Sequence, residues 1–276
     1  MVVRDKNRGI FRLSERIRLF VGTSAQNEDL EAMSVLEYTA RKYCSRPLDI
    51  TWMRQSASGP WSGWKAESWR TPFTGFRWAL PSVCDFKGRA LYTDVDFLFL
   101  ADLAELWTQS IPNVALVRNA TGKISTSCIL FDCAKARGHV PTLEKLRAMP
   151  DAHGTMFNYF RAHTELVAAT DGNWDCGDLR GYELGDPRVK AVHFTRIETQ
   201  LHLKHAIPRL AKEEKTHWYK GEVFTHERPE LQALFDQLLV EATANGYGLE
   251  RYRVEPFTKA VRKDFRYKQQ DRTARA

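Results

Sequence analysis

Two aspartates one residue apart, Asp94 and Asp96, lie in the stretch Leu91-Tyr92-Thr93-Asp94-Val95-Asp96-Phe97-Leu98-Phe99-Leu100. In an extended chain residues i and i+2 share a face, so the spacing sets both carboxylates side by side at a strand end. Like charges held that close are unfavourable unless a cation lies between them. A hard divalent metal fits the gap, and such metals often carry the phosphates of a nucleotide. The pair predicts a metal-dependent enzyme acting on a nucleotide-activated substrate.

Other residues are candidates to share that site. His193 sits near the end of a strand read over Val189–Phe194. A lone histidine is more often structural than a ligand, yet a strand terminus can face the same edge as the aspartates. Asp175 and Asp178, in Trp174-Asp175-Cys176-Gly177-Asp178, are turn formers or, beside a metal pair, groups that touch a sugar hydroxyl. They are the candidate catalytic carboxylates. Gly22-Thr23-Ser24 is a candidate nucleotide contact without a full glycine fingerprint, and by itself reads as a turn. Arg77, set among aromatic residues, is a surface cation or a phosphate fork.

These residues need a scaffold. Arg18–Val21 reads as a buried strand and Leu48–Met53 as another, with a one-faced helix carrying Leu30, Met33, Leu36, Ala40 and Tyr43 between them. That order suggests a βαβ unit with a parallel sheet, whose ligands collect at the carboxyl ends of the strands. Gln55–Thr71 is a loop whose three tryptophans anchor it or stack on a ring. Phe73–Leu80 predicts a helix ending at Pro81. Asp102 and Glu105 form a capping-box pattern. Val114–Val117 and Cys128–Phe131 read as strands around a polar turn at Asn119–Ser127, and Pro141–Met149 as a helix. His153–Gly185 reads as irregular. Pro229–Glu241 is the clearest helix, with proline at its first position and an apolar stripe.

At 276 residues the chain is long enough for one large domain with appendages. Five cysteines with no CxxC pair suit reduced thiols in a cytoplasmic protein. The first twenty residues lack signal-peptide character, and no apolar run approaches a bilayer span. The net charge is +7, and from Arg251 onward nine basic residues face three acidic ones. Residues 1–250 thus read as the catalytic domain and 251–276 as a basic tail with interleaved aromatics. Such a tail suits peripheral contact with an anionic membrane, or is a solvated end. Charge concentrated in one terminal segment, with no recognised motif, argues against a nucleic-acid-binding protein.

From about Arg18 to Tyr219 the pattern resembles glycosyltransferase family 8, especially its bacterial relatives. The resemblance centres on Thr71-Pro72-Phe73-Thr74-Gly75-Phe76-Arg77-Trp78, the Asp94-Val95-Asp96 stretch, and Ala104-Glu105-Leu106-Trp107. It implies a GT-A fold, a Rossmann-like α/β domain with a mixed, mostly parallel sheet. It implies sugar transfer with retention from a nucleotide donor, usually UDP-linked, with Mn²⁺ or Mg²⁺, to a saccharide or lipid-linked acceptor. Asp94, Asp96 and His193 look like its metal ligands, with Asp94 also near the ribose. Gly22, Thr23, Ser24, Arg77 and Ser127 look like donor contacts. Trp174 and Asp175 sit where relatives carry a Trp-Asn pair. The usual diphosphate-binding lysine after the late histidine is missing, which leaves Arg196 or Lys204 to substitute. A binding protein that lost turnover, or a metal-dependent phosphatase or nucleotidyltransferase, is the alternative.

Overall fold

Strand β1 (Ile17–Gly22) is buried along almost its whole length, as suits a strand covered on both faces. The structure, a computed structural model, describes residues 16–120, 123–171 and 173–257. β1 pairs in parallel with β2 (Leu48–Met53) on one side and β3 (Arg89–Asp94) on the other, with Gly22 in register with Asp94. β6 (Lys123–Asp132) runs antiparallel to β3 and to β5 (Ala115–Ala120), and β7 (Val167–Ala169) lies parallel to β5. The strand order is β2-β1-β3-β6-β5-β7, and β6 alone opposes the others. This is the mixed, mostly parallel sheet expected.

The central stretch is not one strand. The chain bends at Val95 and Asp96, and β4 (Phe97–Phe99) leaves for a second sheet ordered β4-β9-β8. β9 (Ala191–His193) runs antiparallel to β4, with Phe97 in register with His193, and parallel to β8 (Cys176–Gly177). Asp94 therefore ends a strand of one sheet, while Asp96 immediately precedes β4 and His193 ends the middle strand of the other. The bend between them joins the two.

Helix α1 (Leu30–Tyr43) is buried well beyond one face, Glu31, Ser34 and Glu37 included. Its outer side is covered by α6 (Leu203–Lys212) and α7 (Pro229–Ala244). The buried acids are neutralised there: Glu31 by Arg209 of α6 at 2.6 Å, and Glu37 by Arg41 at 2.7 Å and Arg251 at 3.2 Å.

Several expected boundaries move. The helix over Phe73–Leu80 is a 3-10 turn (Thr74–Ala79) running into α2 (Leu80–Val83). Pro81 lies in the first turn of α2, where its missing N–H breaks no hydrogen bond. α3 (Leu103–Trp107) is capped by Asp102, which accepts from Ala104 N at 2.8 Å, while Glu105 reaches Lys190 at 3.0 Å. The polar turn at Asn119–Ser127 is largely strand, because β5 and β6 pair through it. α4 (Leu143–Ala148) lies where a helix is expected. Within the stretch read as irregular, α5 (Ala152–Ala162) forms: Asp151 caps Gly154 N at 2.9 Å, and Met156 and Phe160, four apart, are buried.

The tryptophan loop is anchored. Trp61, Trp64 and Trp69 are buried around Phe76, with ring centroids 5.2–5.3 Å away. The first residues assigned to the tail, Arg251–Phe257, pack on the domain with Tyr252 buried against Trp52. Residues 258–276 of the tail lie outside the described residues. No described helix is long and apolar enough to cross a membrane.

Gly22 shows how tightly the strand ends are fitted. A Cβ there would lie 2.7 Å from the Phe73 ring and 2.9 Å from the Tyr92 hydroxyl. Gly22→Ala is expected to cost about 1–3 kcal/mol through overpacking. Urea unfolding checks this: the midpoint should fall with the slope unchanged.

Candidate functional site

The site forms where the two sheets meet. Ligand atoms of Asp94, Asp96 and His193 all lie within 4.8 Å of one another. Asp94 ends β3, and the Arg77 guanidinium donates to its Oδ1 at 2.7 Å. The Tyr92 hydroxyl donates to the same oxygen. Arg77 is 5% exposed, and it also donates to the Thr74 carbonyl at 2.9 Å and to Thr126. Its guanidinium stacks 4.7 Å from the Tyr92 ring centroid. Arg77 thus holds Asp94 from below. Breaking such a buried pair from one side costs about 3–5 kcal/mol.

Asp96 is held differently. Its Oδ2 accepts from Gln200 Nε2 at 2.5 Å, while the buried Oδ1 has no hydrogen-bond partner among the described residues. The nearest cationic group is His193, with Nε2 at 3.6 Å from Oδ1. Burial, outweighing the attraction of His193, pushes the Asp96 carboxyl up to about 7.

His193 is aimed by Asp175. Its Nδ1 lies 2.8 Å from Asp175 Oδ1, and the ring stacks on Phe97 at 4.6 Å. The Ser125 hydroxyl donates to the other Asp175 oxygen. Nδ1 is therefore the nitrogen that carries the proton towards Asp175. In the neutral ring the Nε2 lone pair then faces Asp94 and Asp96, the tautomer a metal ligand needs. Burial lowers the imidazole's proton affinity, but Asp175 and Asp96 override it and push His193 up to about 9. An unpartnered carboxylate oxygen, a second carboxylate and an aimed imidazole suit a divalent cation such as Mn²⁺.

A second cluster, Asp29, His202 and His217, has similar composition but opposite chemistry. His217 Nδ1 accepts from Tyr219 N at 3.0 Å, so its proton sits on Nε2, which donates to Asp29 Oδ1 at 3.2 Å. That nitrogen has no lone pair for a metal. Asp29 acts as an anchor instead. It accepts from Thr23 Oγ1 at 3.2 Å, Ser24 N at 2.8 Å and Trp218 Nε1 at 3.3 Å. Burial disfavours its charge, but His217, His202 and Ser24 hold it below the usual carboxylate range. Asp29 thereby pins the loop after β1 beside Asp94.

The structure places each residue read from the sequence. Gly22 neighbours Asp94 by register, and Thr23 and Ser24 follow in the pinned loop. The β3–β6 register ends with Thr93 opposite Cys128, and Ser127 precedes it in β6, where the pairing with β5 shifts register. Asp175 reaches the site as the group that orients His193. Asp178 does not face it: the residue is fully enclosed, accepting from Thr195 Oγ1 at 2.8 Å and paired with His226 Nε2 at 3.0 Å. Arg196 pairs with Glu227 at 2.9 Å and Lys204 with Asp236 at 2.7 Å, both on the surface. Gln200, Ser125, Thr126 and Asp29 went unread. Asp29 immediately precedes α1, a position that suits a helix cap, and the others carry no local signal.

No family model matches the chain. Protein CDI of Arabidopsis thaliana is 36% identical over 92 residues, which are 32% of this chain and 35% of that protein. The match thus spans about a third of the relative's length. Among solved structures, the apo form of WbbM, a bifunctional glycosyltransferase, superposes with a TM-score of 0.54 at 11% identity. It covers 88% of this chain and 52% of its own. The apo glycosyltransferase GlyE of Streptococcus pneumoniae gives 0.50 at 12% identity, over 85% of this chain and 65% of its own. An active-site mutant of LgtC gives 0.50 at 10% identity, over 82% and 96%. The chain therefore has the α/β fold of the GT-A glycosyltransferases.

Both raised groups bear on metal binding and on stability. A metal must displace the proton of His193 up to about pH 9 and that of Asp96 up to about pH 7. Mn²⁺ affinity should rise about tenfold per pH unit above 7 and more steeply below it. For the metal-free protein both folded pKa values exceed the unfolded ones. Stability from these groups is thus complete below the unfolded values and lost as pH rises through 7 and then 9. Calorimetric Mn²⁺ titrations from pH 6 to 8.5 check the first point, and a flat profile would contradict it.

Proposed function

We propose that the protein is a glycosyltransferase that moves a sugar from a nucleotide-sugar donor, UDP-linked by resemblance, to a saccharide or lipid-linked acceptor. The observation that carries this reading is the convergence of Asp94, Asp96 and His193 at the carboxyl end of β3 in a GT-A-like fold. Ligands of open α/β sheets sit at that edge.

In this reading Asp94, Asp96 and His193 hold Mn²⁺ or Mg²⁺. When bound, the metal neutralises charge that develops on the diphosphate as the glycosidic bond breaks. The chain's own groups do the rest. Arg77 and Tyr92 fix the Asp94 carboxylate, Gln200 fixes Asp96, and Asp175 fixes His193, so the three ligands need little reordering. Gly22, Thr23 and Ser24, in the loop pinned by Asp29, form the wall for the nucleoside, with Ser127 of β6 as a further donor contact. Transfer with retention is the stereochemistry that the family 8 resemblance implies. A phosphatase with the same metal site would release phosphate and make no glycoside.

Basic residues after Phe257 suit contact with an anionic membrane, where lipid-linked acceptors lie. Arg251 and Arg253 do not contribute, because Glu37, Glu213 and Glu250 engage them.

The test is a panel of nucleotide sugars with Mn²⁺ or with chelator, read as nucleoside diphosphate release and as new glycoside. Wild type should turn over at least one donor, and chelator should abolish it. Asp96→Ala should lower the rate at least about 100-fold, the scale of losing one charge-stabilising group. Full activity in that variant would sink the reading. Anomer analysis of the product by NMR tests retention.

A further inference from the structure

A divalent cation held by two aspartates makes a formally neutral site, so contact with the metal alone leaves the net negative charge of a nucleoside diphosphate unbalanced. The negative charge of the diphosphate then needs a further cation from the protein. Arg77 is turned inward onto Asp94, Thr74 and Thr126. Arg196 and Lys204 are tied to Glu227 and Asp236.

One cation lies on the correct face with no such tie. Gly177 of β8 is in parallel register with His193 of β9. Residues paired this way project from the same face of a sheet, about 5 Å apart. Asp175, two residues before Gly177, projects from that face too and meets His193 at 2.8 Å. A Cβ on Gly177 would lie 3.5 Å from Thr195 Cγ2, 3.8 Å from Arg180 Nε and 3.9 Å from Arg180 Cγ. The Arg180 side chain therefore crosses the bare face of Gly177, beside His193. The residue is exposed, and no side-chain hydrogen bond or ion pair engages its guanidinium among the described residues. Its backbone is held, with N donating to the Gly177 carbonyl at 3.0 Å and the carbonyl accepting from Tyr182 N at 2.8 Å.

We propose that Arg180, laid across Gly177 next to His193, is the residue that receives the diphosphate of the nucleotide donor. The proposal rests on the nucleotide-sugar reading above. A guanidinium suits the role because its planar fork can bond two phosphate oxygens at once. Gly177 leaves the surface beneath the Arg180 side chain without a side chain of its own.

Calorimetry on the full chain with Mn²⁺ tests this, using the diphosphates of uridine, guanosine, adenosine, cytidine and thymidine as probes. Wild type should bind at least one of them. Arg180→Met should weaken that binding about 10- to 100-fold, the range for a charge-assisted contact. Arg180→Lys should recover part of the loss, keeping the charge without the fork. Mn²⁺ affinity without nucleotide and the melting temperature should match wild type in both variants. Unchanged diphosphate affinity in Arg180→Met overturns the proposal and leaves the nucleotide-sugar reading standing. A parallel loss of Mn²⁺ affinity overturns it as well, since the residue would then be supporting His193. If wild type binds none of the five diphosphates, both readings fall.

Discussion

Charge balance among four buried groups constrains the whole site. Asp94, Asp96 and Asp175 are carboxylates within one small volume, and His193 touches two of them. Like charges this close and this buried are costly unless each is matched. Arg77 matches Asp94, and protonated His193 matches Asp175. Asp96 is left over, with an unpartnered oxygen and a carboxyl that burial pushes up. A divalent cation resolves the imbalance, because it brings two charges while His193 gives up one proton. The formal charges of Asp94, Asp96, Asp175 and Arg77 then cancel against it. A preference for a cation would thus arise from the whole group and not from any single ligand.

The contrast between the two histidine clusters shows that composition does not decide chemistry. Both contain aspartate and imidazole, and both are buried. Around His193 a carboxylate accepts from Nδ1–H, so once the ring is neutral its lone pair lies on Nε2. Around His217 a backbone N–H occupies Nδ1 and forces the proton onto Nε2. His202 is buried and pushed down to about 4, chiefly by desolvation, so it stays neutral beside Asp29. One cluster is open to a cation, and the other is a closed knot that ties the loop after β1 to the segment around Trp218. The knot matters to the site through Thr23 and Ser24.

Much of this was legible in the sequence, for identifiable reasons. The first βαβ unit was readable because its strands are continuous apolar runs and its helix has clear periodicity. The convergence of Asp94, Asp96 and His193 was readable because Asp-x-Asp is a local signal and His193 closes a strand. The bend at Val95–Asp96 was hidden, since apolar residues run on both sides of it and the switch of sheet is a tertiary choice. α5 was hidden because Gly154, His153 and Asn158 weaken helical propensity, while burial of Met156 and Phe160 overrides it. Gln200 and Ser125 were hidden because their partners lie 104 and 50 residues away. Asp178 illustrates the reverse error of weight: an acid in a Gly-rich stretch looks available, yet it is enclosed by Thr195 and His226.

The C-terminal segment takes part in the same architecture. Asn27, at φ 61°, exchanges two hydrogen bonds with the Val254 backbone, 2.8 Å from Nδ2 and 3.1 Å to Oδ1. Phe257 N donates to the Ala25 carbonyl at 3.3 Å. Asparagine tolerates the left-handed conformation better than most residues, which lets the loop turn and present its amide at once. The loop after β1 is therefore held from two directions, by Asp29 from inside and by the strap at Val254–Phe257 from outside. Held on both sides, the loop has Thr23 and Ser24 already in place, so a ligand that met them would cost less ordering entropy on binding. Arg251–Phe257, read from the sequence as the start of the tail, thus pack against the loop that follows β1.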